Sequence, residues 1–315
     1  MTANKFVFNL ISVLLLTSAI SNQSARGQCV FGFETCGEAD APDNSKLPIP
    51  CKYDGPPKRI SYRDNKTLDI LEKFDQLCPS LNVIDIAPTQ GLCCDLNQIS
   101  QFVKSMEKAK PILGSCPSCL INFSQLFCDM TCNPQQAEFV RVTKAEPYGT
   151  NSKLQSVEEV LYTIDDDYVT GLYDSCKNVT WPQIQQPAML LLCGEQCSPH
   201  DFVEHMGVKG NSPFDIKYNY LKRDDNQRSQ HQSPAIVSCS QSVGEVYPRL
   251  NNIYNTSCAQ VDCPAVANVS LSTPLPTPAT TIAAQATTRR WTVDLDVSLP
   301  GFEDKIHISG NVTGR

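Results

Sequence analysis

The cysteines are the side chains whose spacing most directly suggests chemistry in this sequence. The segment CPSCLINFSQLFCDMTC (116–132) contains C-x2-C and C-x3-C spacings, which in a cytosolic protein would suit a zinc site or a redox dithiol. The chain has 16 cysteines, all between Cys29 and Cys263. Because the number is even and the N-terminus predicts secretion, we interpret them as eight structural disulfide bonds, and we expect no metal ion or cofactor.

Signals of an enzyme or of a nucleic-acid-binding protein are absent from the sequence. The four histidines, His200, His205, His231 and His307, form no H-E-x-x-H motif, and no G-x-S-x-G is present. The aspartates at 165–167 are consecutive, so on a helix they point in different directions and cannot share one metal ion. The net charge of −7 argues against a nucleic-acid partner. We therefore expect a protein that is not an enzyme.

A pair of adjacent cysteines precedes the most suggestive polar side chain. In GLCCDLNQIS (91–100), Cys93 and Cys94 are followed by Gln98 in a predicted helix. Neighbouring cysteines are poorly placed to bridge each other, because the Cα atoms of a disulfide usually lie about 5.5–6 Å apart. We expect each to pair with a distant cysteine, which the sequence alone does not identify. The amide of Gln98 is able both to donate and to accept a hydrogen bond.

The N-terminus predicts the compartment. Lys5 precedes the apolar run FVFNLISVLLL (6–16), and small residues follow, which is the pattern of a cleaved signal peptide within residues 1–27. The run is too short to span a bilayer, and no later segment has 18 consecutive apolar residues, so we expect no membrane span. Glycosylation is predicted at the asparagines of N-x-S/T sequons, which are Asn65, Asn122, Asn178, Asn255, Asn268 and Asn311.

Composition predicts four parts of the chain: a signal peptide (1–27), a cysteine-rich body (28–264), a linker rich in Ser, Thr and Pro (265–290) and a tail (291–315). The linker cannot bury a core and is expected to be extended or disordered. The tail has apolar residues at alternate positions from Trp291 to Leu299, the pattern of a half-buried strand, although a single strand is not stable alone.

Apolar periodicity predicts a body in which helices dominate. A longer helix is predicted for 156–176, where Ser156 and Glu159 have the spacing of a capping box. Strand patterns are weaker, and the best candidates are 214–221 and 234–240. The mixture predicts an α+β fold with a small sheet. The other predicted helices, all with apolar residues at helical spacing, are 68–78, 96–108, 119–132 and 199–206.

Two apolar segments are compatible with either core packing or the rim of a ligand pocket. Leu190, Leu191 and Leu192 directly precede Cys193, and Pro213–Phe214 stand in a predicted loop. Both patterns occur in buried cores and around ligand pockets, so they leave the two interpretations open.

The cysteine blocks resemble the N-terminal luminal domain of the Niemann–Pick type C sterol transporter family. In that family the fold is α+β, with helices packed on a small mixed sheet. A membrane helix follows the Pro-rich linker there, whereas this sequence continues into a polar tail. The matching blocks are YDGPPK (53–58), LCPSL (77–81), LCCDLNQ (92–98), CPSCLINFSQLFCDMTCNPQQ (116–136), LLLCG (190–194), VEHM (203–206) and SPFDI (212–216).

The resemblance also implies a disulfide map. It separates the two adjacent cysteines, sending Cys93 and Cys94 to different partners. The implied pairs are Cys29 with Cys93, Cys36 with Cys51, Cys78 with Cys128, Cys94 with Cys132, Cys116 with Cys258, Cys119 with Cys176, Cys193 with Cys197, and Cys239 with Cys263.

What the resemblance implies for function is sterol binding. The family's domain binds cholesterol or a hydroxysterol in a deep pocket, and it exchanges the sterol with a small soluble carrier in the lumen of the lysosome. Gln98 matches the glutamine that binds the sterol hydroxyl group. A second polar partner of the family, an asparagine, is absent, and Pro50 stands in its place. The family also has a glutamate near the cysteine that corresponds to Cys36, and Glu34 or Thr35 is expected to serve in that role here.

The resemblance assigns further residues to the site. Phe31, Phe102 and Phe127 are expected in the pocket wall, and Pro213 and Phe214 at the entrance. The expected transfer surface consists of Leu191 and Leu192, with Glu204 and His205 on the helix beside the mouth.

Two other interpretations stay open. A folate-receptor-like module for a small vitamin-type ligand is also built on about eight disulfides, but its polar ligand would favour tryptophans, and the body contains only Trp181. The other is a structural or interaction ectodomain. Sterol binding in the secretory pathway, in the lysosome or endosome lumen or after secretion, is the interpretation we favour.

Overall fold

The computed structural model describes residues 28–41, 44–150, 153–183, 185–194, 196–222, 233–264, 288–295 and 306–313. The predicted signal peptide, Asn268 and most of the predicted linker lie outside these residues. The described strands are β1 (Cys29–Asp40), β2 (Lys46–Gly55), β3 (Val140–Pro147), β4 (Gln155–Asp165), β5 (Thr180–Trp181), β6 (Gln186–Pro187), β7 (Asp215–Leu221), β8 (Thr288–Leu295) and β9 (Ile306–Thr313).

The helices of the described chain include all four of the shorter ones that periodicity predicts. They are α1 (Asn65–Leu77), α2 (Val83–Thr89), α3 (Leu96–Leu113), α4 (Pro117–Cys132), α5 (Asp166–Cys176), α6 (Ala188–Cys193), α7 (Pro199–Met206) and α8 (Val243–Val246), with 3-10 turns at Gln136–Glu138 and Pro248–Leu250.

Strand β4 is the centre of a mixed sheet. It pairs antiparallel with β3 and parallel with β7, and it meets β2 where Cys51 lies opposite Ser156. Strand β2 in turn pairs antiparallel with β1, in a ladder interrupted by register shifts. The predicted α+β fold, with helices on a small mixed sheet, is confirmed, as is the strand predicted at 214–221.

The prediction of one helix over 156–176 is wrong in its first half. Residues 155–165 form β4, and the helix α5 begins only at Asp166. Val160, Tyr162 and Ile164 are buried at alternate positions between the two neighbouring strands. The pairing with β3 and β7 thus overrides the local capping-box pattern.

The strand predicted at 234–240 is not formed. Val237 lies there in irregular backbone, and its N–H donates to Oδ1 of Asn122 (3.0 Å). Its carbonyl oxygen accepts from Nδ2 of the same asparagine (2.8 Å). A side chain of α4 therefore satisfies the backbone groups that a neighbouring strand would otherwise satisfy.

The same contacts contradict the predicted glycosylation of Asn122. Its side chain is fully buried, and Nδ2 also donates to the hydroxyl of Ser175 (3.0 Å). A glycan on that nitrogen would have to pass through the core, so this sequon is not usable in the folded chain. The sequon asparagines Asn65, Asn178 and Asn255 are exposed.

The sequence patterns gave no signal for β1, β2 and β3, whereas the strand pattern of the tail is partly matched. Residues 288–295 form β8, which pairs antiparallel with β9 from Thr288 opposite Thr313 to Leu295 opposite Ile306.

The core is centred on helix α4. Almost all of its side chains are buried, as expected for a helix that is covered on every face. It packs against α3 and α5, and its Leu126 carbonyl accepts a hydrogen bond from the Tyr162 hydroxyl of β4 (3.3 Å). Within the described residues, no helix has both the length and the apolar character needed to cross a membrane.

All 16 cysteines form bridges, so the expected number of eight disulfides is confirmed. The adjacent cysteines bind in different directions, Cys93 to Cys29 in β1 and Cys94 to Cys132 at the end of α4. The eight pairs coincide with those that the resemblance implies. The remaining six are Cys36–Cys51, Cys78–Cys128, Cys116–Cys258, Cys119–Cys176, Cys193–Cys197 and Cys239–Cys263.

The ion pair between Arg249 and Asp75 holds the C-terminal part of the body against α1. Asp75 is 7% exposed, and its other carboxylate oxygen accepts from the N–H of Val83 (2.7 Å). We predict that Arg249→Met lowers the free energy of unfolding by about 1–3 kcal/mol, because it leaves a buried carboxylate without its cation. Urea unfolding of the disulfide-intact chain measures this.

The control is Lys73→Met, which removes an exposed ion pair with Asp69 on the same helix. That variant should leave the free energy of unfolding nearly unchanged, because an exposed ion pair contributes little to stability. Equal effects of the two variants would contradict a special role for Arg249.

Candidate functional site

A cavity lies between the β1–β2 hairpin, helices α3 and α4, and the segment that leads into β7. Its volume is about 270 Å³, close to the range of about 300–1,000 Å³ that is common for small-molecule pockets. The structure brings Phe31, Phe102 and Phe127 together in it, as predicted from the resemblance. The other apolar wall residues are Leu47, Pro48, Met106, Ala109, Ile112, Leu113, Phe123 and Met130.

Gln98 lines this cavity and is held in one orientation by the start of helix α3. Its Oε1 atom accepts hydrogen bonds from the N–H of Asp95 (3.0 Å) and from the N–H of Phe33 (3.1 Å). Its own N–H donates to Oδ1 of Asp95 (2.9 Å), which completes a capping box. Two N–H groups face the side-chain oxygen, so the amide cannot be turned over, and Nε2 is the atom left to donate.

The backbone of β1 reaches Gln98 through an irregular segment. Gly32 has φ +134°, and a Cβ atom there would lie 2.1 Å from the carbonyl oxygen of Cys93, so only glycine permits this close approach. Gln136 supports the segment from the other side, because its Oε1 accepts from the N–H groups of Val30 (2.7 Å) and Phe31 (3.2 Å). The result is that Phe31 lies in the cavity wall beside the Gln98 amide.

Glu34 and Thr35, one of which is expected to serve where the resembled family has a glutamate, lie away from the cavity wall. Both residues are exposed and neither lines the cavity, although Thr35 lies opposite Pro50 in the β1–β2 ladder. Pro50 does line the cavity, but its side chain has no hydrogen-bonding group. In this geometry neither Glu34 nor Thr35 faces the cavity, and Pro50 adds no polar group to it.

Thr131 is a polar lining residue that the sequence analysis missed. It is partly buried in the last turn of α4, four residues after Phe127 and directly before Cys132. The bridge from Cys132 to Cys94 brings this end of α4 to the start of α3. The spacing from Phe127 is the signal that could have identified Thr131 as a residue on the same helix face.

The predicted entrance residues Pro213 and Phe214 also line the cavity, together with Leu192 and Met206. The ring of Phe214 meets that of Phe31 edge to face, with centroids 5.4 Å apart. This aromatic contact connects the entrance segment to the wall formed by β1.

The residues of the predicted transfer surface are only partly in the cavity wall. Leu191 lies in α6 with Leu192, but its side chain is outside the described part of the structure. Glu204 is exposed on α7 and accepts from the Tyr220 hydroxyl (3.2 Å). The carbonyl oxygen of His205 accepts from Nδ2 of the lining residue Asn211 (2.9 Å).

Charge is nearly absent from the cavity. Among the described residues that line it, Lys108 alone is charged, and it is exposed. In the adjoining core, burial raises the pKa of Tyr162 and of Tyr168 well above the ordinary value, so both phenols are neutral. Across the described ranges, no group of three or more metal-ligating side chains comes together. These surroundings suit a neutral, mostly apolar ligand.

The fold and the cavity define a disulfide-rich α+β domain built around a mostly apolar pocket, in which the start of helix α3 orients the amide of Gln98. The chain belongs to the family described as the Niemann-Pick C1 N terminus, whose sequence pattern matches residues 26–287. The family predicted from the cysteine blocks is thereby confirmed.

Individual relatives agree with this assignment. The chain is 29% identical over 254 residues to the pig NPC intracellular cholesterol transporter 1, and the aligned region covers 78% of this chain and 18% of the relative. It is 31% identical over 199 residues to the NPC intracellular cholesterol transporter 1 homolog 1 of Caenorhabditis elegans, and the aligned region covers 58% of this chain and 14% of the relative. The human NPC1-like intracellular cholesterol transporter 1 is 26% identical over 254 residues, covering 76% and 17%. The chain thus spans less than a fifth of the length of each.

The geometry at Gln98 generates a prediction about folding. Gln98→Ala removes the acceptor of two backbone N–H groups, so we expect the free energy of unfolding to fall by about 1–2 kcal/mol. Gln98→Glu keeps an oxygen in the same place and preserves the capping box, so its effect should stay within about 0.5 kcal/mol. Urea unfolding at pH 7.4 compares them, and equally large losses would contradict the assigned hydrogen bonds.

Proposed function

We propose that this chain binds a sterol, cholesterol or a close relative of it, in the cavity and passes the sterol on during sterol transport in the lumen of the secretory pathway. The observation that carries the proposal is the combination of apolar walls with the oriented amide of Gln98. It is supported by the relatives, which are named as cholesterol transporters.

A sterol matches this cavity in its physical chemistry. It is a rigid apolar plate with one hydroxyl group, and burial of the plate contributes about 25 cal/mol per Å² before the cost of association. Aromatic and thioether side chains, such as those of Phe102, Phe127 and Met106, suit such a surface. The hydroxyl group cannot be buried without a partner, and Nε2 of Gln98 supplies one.

The proposed role involves binding and transfer without a chemical reaction. Leu192 in α6 and Pro213 in the segment before β7 line the same cavity. We assign to these residues, with Leu191, the surface across which the sterol passes to a small soluble luminal carrier. The acidic lysosome lumen is the proposed compartment, in line with the disulfides and the sequons.

The first prediction concerns sterol binding by the full chain. Tritiated cholesterol should bind saturably, and Gln98→Ala should weaken binding by about 1–3 kcal/mol, or about 5- to 150-fold, because the hydroxyl group loses its donor. Gln135→Ala is the matched control, since this exposed glutamine is outside the cavity wall. Absence of saturable binding by the wild-type chain would overturn the proposed function.

The second prediction separates binding from transfer. The double variant Leu191→Gln with Leu192→Gln should keep sterol affinity within about threefold, whereas transfer to a purified soluble sterol carrier should slow by about tenfold, because a few apolar contacts dominate such interfaces. Val208→Gln, an exposed apolar residue that does not line the cavity, is the control. Parallel loss of binding and transfer would show that the leucines belong to the core.

A further inference from the structure

The hydrogen-bond polarity at the Gln98 end of the cavity is set by the fold. The carbonyl oxygen of this side chain already accepts from the N–H groups of Phe33 and Asp95. A carbonyl oxygen has two lone pairs, so both are in use. The group that Gln98 can offer to a ligand is therefore its Nε2 amide, which is a donor.

Two other polar side chains line this part of the cavity, Gln101 on the next turn of α3 and Thr131, and neither requires the ligand oxygen to donate, because an amide and a hydroxyl group can each donate or accept. Thr131 carries a hydroxyl group, which rotates and is able to donate or to accept. Pro50 stands where the resembled family has an asparagine, and its side chain offers no acceptor. A ligand oxygen beside Gln98 must therefore accept a hydrogen bond, but it need not donate one.

We infer that this cavity recognises a sterol by a hydrogen-bond acceptor at its polar end, and so binds a 3-ketosterol as readily as a 3-hydroxysterol. The inference rests on the proposed sterol-binding function and specifies the class of sterol. A ketone oxygen accepts from Nε2 of Gln98 and from the Thr131 hydroxyl, whereas a hydroxyl oxygen accepts from Gln98 and donates to Thr131.

Three saturated steroids that differ only at C3 test this. 5α-Cholestan-3β-ol, 5α-cholestan-3-one and 5α-cholestane compete with tritiated cholesterol for the full chain at pH 7.4. The binding affinities of the alcohol and the ketone should agree within about threefold, because each compound makes the same number of hydrogen bonds. The hydrocarbon should bind at least about tenfold more weakly, because it leaves the Gln98 amide buried without a partner.

The variant Gln98→Glu reverses the polarity at nearly constant shape. One carboxylate oxygen can keep the two backbone N–H groups, and the other replaces the amide donor by an acceptor. The alcohol can still donate to it, but the ketone cannot. The substitution should therefore weaken binding of the ketone at least tenfold more than binding of the alcohol. Thr131→Val is a second variant, which leaves Gln98 unchanged. In it, Gln98 should still donate a hydrogen bond to the ketone, and the hydrocarbon should remain the weakest ligand.

The outcomes are distinguishable. If the alcohol binds and the ketone is at least about tenfold weaker in the wild-type chain, the inference is wrong while sterol binding stands. If Gln98→Glu leaves the ratio of the ketone affinity to the alcohol affinity unchanged, Gln98 does not form a hydrogen bond with the ligand oxygen, and the inference is again overturned. If none of the three steroids competes and cholesterol itself does not bind, the proposed function fails and the inference fails with it.

Discussion

The carbonyl oxygen of Gln98 accepts two backbone N–H groups, and the geometry of the cavity depends on this shared acceptor. One N–H belongs to Asp95, at the start of α3, and the other to Phe33, in the irregular part of β1. The hydrogen bonds join a helix to a strand that is about 65 residues away in sequence. Because Gly32 lets the backbone of β1 approach Cys93 closely, no side chain separates the two elements.

A second glutamine completes the support of the same segment. Gln136 accepts from the N–H groups of Val30 and Phe31, so the backbone donors that the shifted β1–β2 ladder leaves unpaired are satisfied by side chains. The bridge from Cys29 to Cys93 fixes the beginning of β1 covalently. Position 98 therefore serves folding and the cavity at once, and a substitution there must be assessed for both.

The parts of the fold that could be predicted are those in which one period dominates. Helices α1, α3, α4 and α7 repeat apolar residues at helical spacing, whereas β4 carries Val157, Val160 and Ile164 at the three- and four-residue spacing of a helix although the segment forms a strand. Only β3 and β7 on either side decide the matter. The candidate site could be predicted only where a motif marks a residue. Gln98 follows the two adjacent cysteines and lines the cavity as expected, whereas Thr131 was missed because α4 is buried on almost every face.

The exposure of Glu34 and Thr35 has the same origin as the orientation of the Gln98 amide. Side-chain direction along β1 is set by the register shifts on either side of Phe31, which no local pattern reveals. Those shifts aim the N–H of Phe33 at Gln98 and leave the next two side chains in solvent. Since two backbone N–H groups occupy the amide oxygen of Gln98, the amide nitrogen is the atom left to donate. Under the proposed function, the hydrogen-bond polarity of sterol recognition is thus a consequence of how β1 is held.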